Sequence, residues 1–317
     1  MAKPLSLGVE VVGDGIADRR TAVEQPSRVI ADLVRRLEAA GVDYWVIGAE
    51  RGEAAQSGTV ALDPSLIATF AARASRRLGL VVAAAGHRDH PYNLARRLIS
   101  VDHAARGRVG WLALDFDHGT ALNAVTDTWT GADLTADHTA DAVTAVRTLW
   151  RTWPLESVVG DTDAGVFADV TRIRRADIAH GYAIAGPLNV PGSVQGDLPI
   201  WRHADALGAD LAVIEDGDPV PGGAPVVVRV RAAEVIDAAL DRVARIPSAT
   251  GVLLRIAPGI LERVLDLVVP AARARGVLGE PGTGTLRERL GLPVPAVPDL
   301  SAHRAVFDSV ATPGGRL

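Results

Sequence analysis

The chain keeps changing its hydrophobic period, and that alternation constrains its fold more than any single motif does. Residues 5–12 form a short apolar run closed by Gly13-Asp14-Gly15, which reads as a strand. Residues 27–40 place Val29, Ile30, Leu33, Val34 and Leu37 on one helical stripe, with Ser27 as a candidate N-cap and Gly41 just past the end. Strand-like runs recur at 44–47, 78–85, 109–114, 198–203, 211–214, 226–230 and 251–256. Helical patterns fall at 63–77, where Pro64 sits in the first turn, and at 92–105, 136–150, 232–243 and 260–275. A closing turn of helix is read at 285–290. Eight strands with helices mostly between them fit an α/β fold, a (β/α)8 TIM barrel, within 317 residues. A doubly wound sheet is the competing arrangement. It would prefer a glycine-rich turn leading straight into a helix after the first strand, and Gly13-x-Gly15 lacks the third glycine. Residues 1–292 are assigned to one barrel domain with an insertion at about 154–196, carrying a short hairpin around 178–184. Residues 293–317 are read as a Pro-rich tail.

Composition narrows the chemistry. Apolar residues make up 48% of the chain, enough for a sizeable core, and the net charge of -5 gives no footprint for nucleic acid. There is no cysteine, which excludes disulfides, thiolate metal sites and a cysteine nucleophile. Lys3 is the only lysine, so a Schiff-base lysine is excluded elsewhere. No run of eighteen apolar residues occurs and the N-terminal residues carry no long apolar segment, so no membrane span is expected and the cytoplasm is the expected location.

Barrel chemistry belongs at the C-terminal ends of the strands, and polar residues gather there: Glu50, His87, Arg88, Asp89, His90, Asp115, Asp117, His118, His203 and Asp205. His203 with Asp115 or Asp205 is a candidate general-base pair. His87-x-x-His90 with Asp115 and His203 has the donor types of a divalent-metal site, but a loop does not fix the geometry of such a pair, and no metal is assigned. His87, His203 and Asp115 are the candidate catalytic residues.

Several stretches resemble one family. Gly79-Leu80 is followed, after ten residues, by Pro91-Tyr92-Asn93-Leu94-Ala95-Arg96-Arg97-Leu98-Ile99-Ser100-Val101-Asp102-His103, and then by Gly107-Arg108-Val109-Gly110-Trp111. Leu149-Trp150-x-x-Trp153, His180-Gly181, Gly186-Pro187-Leu188, Gln195-Gly196 and Thr285-Leu286-Arg287-Glu288-Arg289-Leu290-Gly291-Leu292 follow in order. Together they resemble the bacterial luciferase-like monooxygenases, in the branch of the nitrilotriacetate, dibenzothiophene-sulfone and pristinamycin enzymes.

The resemblance implies a luciferase-like barrel, dimerisation through barrel helices, and oxygenation of a small organic substrate with dioxygen and reduced FMN supplied by a separate reductase. The deazaflavin F420 is the variant cofactor. A flavin-free paralogue serving as a structural or regulatory subunit, in a heterodimer with an active relative, is the alternative role, and a barrel with His/Asp chemistry stands behind it. By the same resemblance Glu50, Trp111 and Arg202 are the candidate cofactor-binding residues, whereas Arg96, Asp102 and Arg108 read as scaffold. The chain departs from the family where flavin is held. Ala85, Gly86 and His87 replace Ser-Thr-Thr, Leu112 replaces an Asn, and His203-Ala204-Asp205-Ala206-Leu207 stands in the phosphate loop.

Overall fold

The structure is a computed structural model that describes residues 3–15, 24–53, 62–86, 88–117, 136–203, 208–223, 225–232, 236–296 and 299–307. Eight strands close into a barrel: β1 (Ser6–Val11), β2 (Tyr44–Ile47), β3 (Gly79–Ala85), β4 (Val109–Leu114), β7 (Ile200–His203), β8 (Leu211–Glu215), β9 (Val226–Arg231) and β10 (Ala249–Ile256). All pair in parallel, in the order β1-β10-β9-β8-β7-β4-β3-β2. β5 (Val158–Asp161) and β6 (Val166–Ala168) form a separate antiparallel pair within the insertion.

The strands are apolar on both faces because both faces are covered. One row packs outward against the helices: Leu7 and Val9 of β1, Trp45 and Ile47 of β2, Val82 and Ala84 of β3, and Trp111 and Ala113 of β4. The other row packs inward: Tyr44, Val46, Val81, Ala83, Ala85, Leu112, Leu114, Trp201, Val213, Val227 and Leu253. Two aromatic rings plug the barrel floor. Tyr44 lies over Gly8 and Trp201 over Gly110, so closely that a Cβ at either glycine would come within 2.4 Å of the ring. The rings stand 5.3 Å apart, and Leu286 and Leu290 belong to the same inner cluster.

The helices Pro26–Ala39, Pro64–Ala74, Pro91–Ala105 and Ala136–Arg151 cover the β1–β4 side. The first begins at Pro26 behind Gln25 rather than at Ser27, because proline is preorganised for the first helical position. The second ends at Ala74, three residues before the sequence pattern suggests. There Ser75 Oγ accepts the Leu78 N–H and the Glu38 carboxylate accepts the N–H groups of Arg76 and Arg77, a local alternative to the helical ladder. Residues 260–275 hold two α-helical pieces, Leu261–Arg263 and Val269–Ala274, around a π-helical turn at Val264–Val268. Pro270 has no N–H for an i−4 bond, and the ladder widens ahead of it. On the β7–β9 side the chain has only residues 204–210 and 216–225 between strands, shorter than the dozen or more of a helical crossover. The hairpin read at 178–184 is a single antiparallel bridge, Ile178 to Ile184. Among the described residues no helix is long and apolar enough to cross a membrane.

The family-like motifs tie the barrel's lower, N-terminal face. Fully buried Asp102 accepts from Val109 N (2.9 Å), Ser193 Oγ (2.5 Å) and Gln195 Nε2 (2.9 Å), joining the helix Pro91–Ala105 to β4 and the insertion. Gln195 Oε1 accepts the Arg287 N–H, and the buried Arg287 guanidinium holds Asp210 and the carbonyls of Asp197 and Pro293. Replacing Asp102 with alanine strands three buried donors. We expect Asp102→Ala to lower stability by about 3 kcal/mol, read as a shifted midpoint in urea unfolding.

Candidate active site

Charged residues occupy the inward row at the upper ends of β1, β8, β9 and β10. Arg229, on β9, is the centre. Its Nε donates to Glu10 Oε2 on β1 (2.9 Å), Nη1 to Glu215 Oε1 on β8 (3.1 Å), and Nη2 to Glu53 Oε1 (2.7 Å). Glu53 follows the short 3-10 turn Ala49–Gly52 after β2, so this bond crosses the mouth. Arg255, on β10, binds Glu53 through both terminal nitrogens and Glu50 Oε1 at 3.1 Å. Glu50 Oε2 accepts the Gly13 N–H, and Asp14 Oδ1 accepts the Gly48 N–H, which staples the loops after β1 and β2 together.

Environment sets the charge of each group. Burial pushes the Glu10 carboxyl well up, against the pull of Arg229 and Arg255. Burial also raises Asp14, to about 7, with Glu50 adding to the rise. Partial burial opposes ionisation of Glu53, but hydrogen bonds and charge from Arg255 and Arg229 hold it below the ordinary carboxylate range. His203 ends β7 at the rim of the same mouth. Desolvation, helped by Arg229, keeps its pKa below the usual value, so the ring is neutral at pH 7 and has a lone pair to offer. Among the described residues, three buried polar atoms inside the barrel have no hydrogen-bond partner: Glu10 Oε1, the Tyr44 hydroxyl and the Trp201 N–H. The last two lie side by side without a well-formed bond.

The opposite half of the mouth, on β2–β4, is apolar and small: Val46, Ala83, Ala85, Leu112 and Leu114. The mouth thus has two walls, one apolar and buried, the other built of guanidinium and carboxylate groups, with His203 at the rim.

The sequence candidates fall in different places. Glu50 joins the charged wall, and His203 and Asp115 reach the rim. Arg202 lies on the outward row of β7, buried, donating to Asp115 Oδ1 (3.2 Å) and the Ala136 carbonyl (2.9 Å). Trp111 is fully buried on the outward row, its N–H donating to the Ala84 carbonyl (3.0 Å), so it packs against the helices and away from the mouth. His87, His118 and Asp205 lie outside the described residues. His90 caps the helix Pro91–Ala105, its Nδ1 accepting the Tyr92 N–H. Among the described residues no group of three or more His, Asp or Glu side chains is arranged to hold a metal ion. The residues that sequence reading missed are Glu10, Asp14, Glu53, Glu215, Arg229 and Arg255. The available signal was a charge on one alternate row of four otherwise apolar strands.

The luciferase-like monooxygenase family model matches residues 12–239. The chain belongs to that family. It is 32% identical over 143 residues to a dibenzothiophene-sulfone monooxygenase of Rhodococcus erythropolis, covering 44% of this chain and 31% of that protein. It is 28% identical over 190 residues to one subunit of pristinamycin IIA synthase of Streptomyces pristinaespiralis, covering 59% and 62%. Each match therefore spans less than two thirds of the relative's own length. Among solved structures, DmoA of Hyphomicrobium sulfonivorans superposes with a TM-score of 0.73 over 99% of both chains at 16% identity, which shows a shared fold.

The mouth fits a flavin ring in kind. The match lies in the chemistry of the lining: apolar Ala83, Ala85 and Leu112, each buried at 1–2% exposure, stand on one side, and ion-paired guanidinium and carboxylate groups on the other. The positions that the resemblance assigns to the phosphate, 204–207, lie outside the described residues.

Two outcomes follow from the charged wall. Arg229→Gln leaves three carboxylates facing one another, and we expect a loss of about 3 to 5 kcal/mol at pH 7, smaller at pH 4, measured by urea unfolding at both values. Asp14 has a folded pKa of about 7 against an ordinary 3.8, so the folded state holds its proton more tightly. Its contribution to stability is present below pH 4 and is lost as pH rises through 7. Asp14→Asn, tolerated at its positive φ, should remove that loss and raise stability at pH 8 by on the order of 2 kcal/mol, with little change at pH 4.

Proposed function

We propose that this chain is a flavin-dependent monooxygenase acting on a small organic molecule, with reduced FMN delivered by a separate reductase. The observation that carries the reading is the two-walled mouth at the strand ends of a luciferase-like barrel. Ala83, Ala85 and Leu112 would form the bed of the ring, and His203, neutral at the rim, would hold or accept a proton beside it. Reduced flavin, when bound, supplies the electrons that activate dioxygen. The protein's share is to orient ring and substrate, and to keep bulk water from the reacting atoms. The loops after β1 and β2, stapled by Asp14 and Glu50, serve that exclusion. Dimerisation through barrel helices is part of the proposal. Leu66 and Phe70, one turn apart on Pro64–Ala74, are exposed apolar side chains suited to such a contact.

An anaerobic titration with reduced FMN tests the reading. We expect saturable binding at micromolar flavin, and a loss of at least about tenfold (about 1.4 kcal/mol) in Ala83→Leu, whose branched side chain stands up from the apolar wall. Unchanged circular dichroism in the variant separates a blocked site from a misfolded one. If neither FMN nor F420 binds in either redox state, the proposal is wrong.

A further inference from the structure

The lower face of the barrel carries guanidinium groups that no carboxylate answers. Arg77 Nη2 donates to the Glu38 carbonyl (2.6 Å), Arg273 Nη1 and Nη2 to the carbonyls of Ala40 and Gly41 (2.6 Å each), and Arg289 Nη1 to that of Asp43 (3.2 Å). Arg108 donates to the carbonyls of Ala72, Ser75, Leu78 and Ala105. These partners carry partial charges only. Among the described residues none of the four is ion-paired, whereas Arg287 pairs with Asp210 and Arg275 with Asp237. The carboxylates beside them already accept from amides: Asp43 Oδ2 from Leu7 N–H (2.8 Å), and Glu38 Oε1 from the N–H groups of Arg76 and Arg77. Four guanidinium groups against two carboxylates leave a surplus of two positive charges. Burial pushes the Asp43 carboxyl up, which enlarges that surplus.

Three donors are also unmet. Arg77 Nη1, Arg289 Nε and Arg289 Nη2 are buried without a hydrogen-bond partner. The two on Arg289 form one edge of its guanidinium, the fork that grips two oxygens of a single anion. Burial lowers the Arg289 pKa to about 10, and Arg108 and Arg77 add to the fall, so the three side chains share one unbalanced field while Arg289 stays charged at pH 7. Arg77 and Arg289 are themselves only half-buried, so the ends of their stems can turn to a molecule arriving from below.

We propose that the lower face binds a small oxyanion of the phosphate and sulfate class, gripped by the Nε–Nη2 edge of Arg289 and by Arg77 Nη1, with Arg108 and Arg273 held behind them. A guanidinium only donates, so the completing group must accept, and a doubly charged anion also cancels the surplus. The site lies at the opposite end of the barrel from the mouth and is independent of the monooxygenase reading.

Isothermal titration of the purified full chain with phosphate, sulfate and acetate, at constant ionic strength held with sodium chloride, tests the proposal. We expect phosphate and sulfate to bind saturably, and acetate at least about ten times more weakly. Arg289→Gln, which removes the fork, should weaken phosphate by at least about tenfold, and Arg77→Gln several-fold. Arg35→Gln, which changes an exposed guanidinium paired with Asp32 on the outer helical layer, should leave it unchanged. Circular dichroism confirms the fold of each variant. A crystal of the unaltered chain soaked in selenate gives a second readout that needs no variant, with an anomalous peak expected between Arg77 and Arg289. Absence of saturable binding overturns the proposal. So does phosphate binding indifferent to both arginines, which marks another site, the mouth included. Selenate peaks only elsewhere on the surface, an adventitious ion only, overturn it as well.

Discussion

Burying a guanidinium inside a parallel barrel obliges the fold to meet its charge from several sides. Arg229 is met by Glu10 from β1, Glu215 from β8 and Glu53 from the loop after β2. That requirement decides the shape of the upper barrel. It draws the β2 loop over the mouth, Arg255 secures the loop again through Glu50 and Glu53, and the Gly13 and Gly48 amides bind the β1 and β2 loops to each other. One half of the mouth is left charged and the other half small and apolar.

The two ends of the barrel do separate work. The lower end is closed by Tyr44 and Trp201 over glycines, and tied around Asp102, Gln195, Arg287 and Asp210. These bonds join segments far apart in sequence, including the insertion and the residues after β10, so they hold the register of the strands. The upper end is supported by that frame. There the connections after β7 and β8 lack the length for the helices that usually flank a barrel strand.

This division explains what the sequence disclosed. The strands were legible because each is a short apolar run buried on both faces, and β2 and β4 have the limits that the pattern indicated. The family motifs were legible too, but Asp102, Arg108, Gln195 and Arg287 turn out to be scaffold. Within the site, Glu50 and His203 could be read from their positions after strands. Glu10, Arg229 and Arg255 could not be read as a group, because closure of the barrel alone brings residues 10, 229 and 255 together. The alternation of β1, β9 and β10 puts them on one row, and the register sets Glu10 opposite Arg255 and Arg229 opposite Leu253, one inward position below, within reach of Glu10. Trp111 shows the opposite error of scale. The family resemblance suggested it for the site, but a shift of one residue in a strand reverses the face, and Leu112 takes the inward place. The exposed pair β5–β6 escaped the pattern because its strands are short and interrupted by glycine and aspartate.

The central claim is that a flavin ring lies between the apolar wall of β2–β4 and the charged wall of β8–β10 and β1. A crystal structure of the full chain soaked with FMN under reducing, anaerobic conditions tests it most directly. The account predicts ring density against Ala83, Ala85 and Leu112, with Glu53 and Arg229 on its far side. Well-defined flavin density elsewhere on the protein, with the mouth filled by its own side chains, would contradict it.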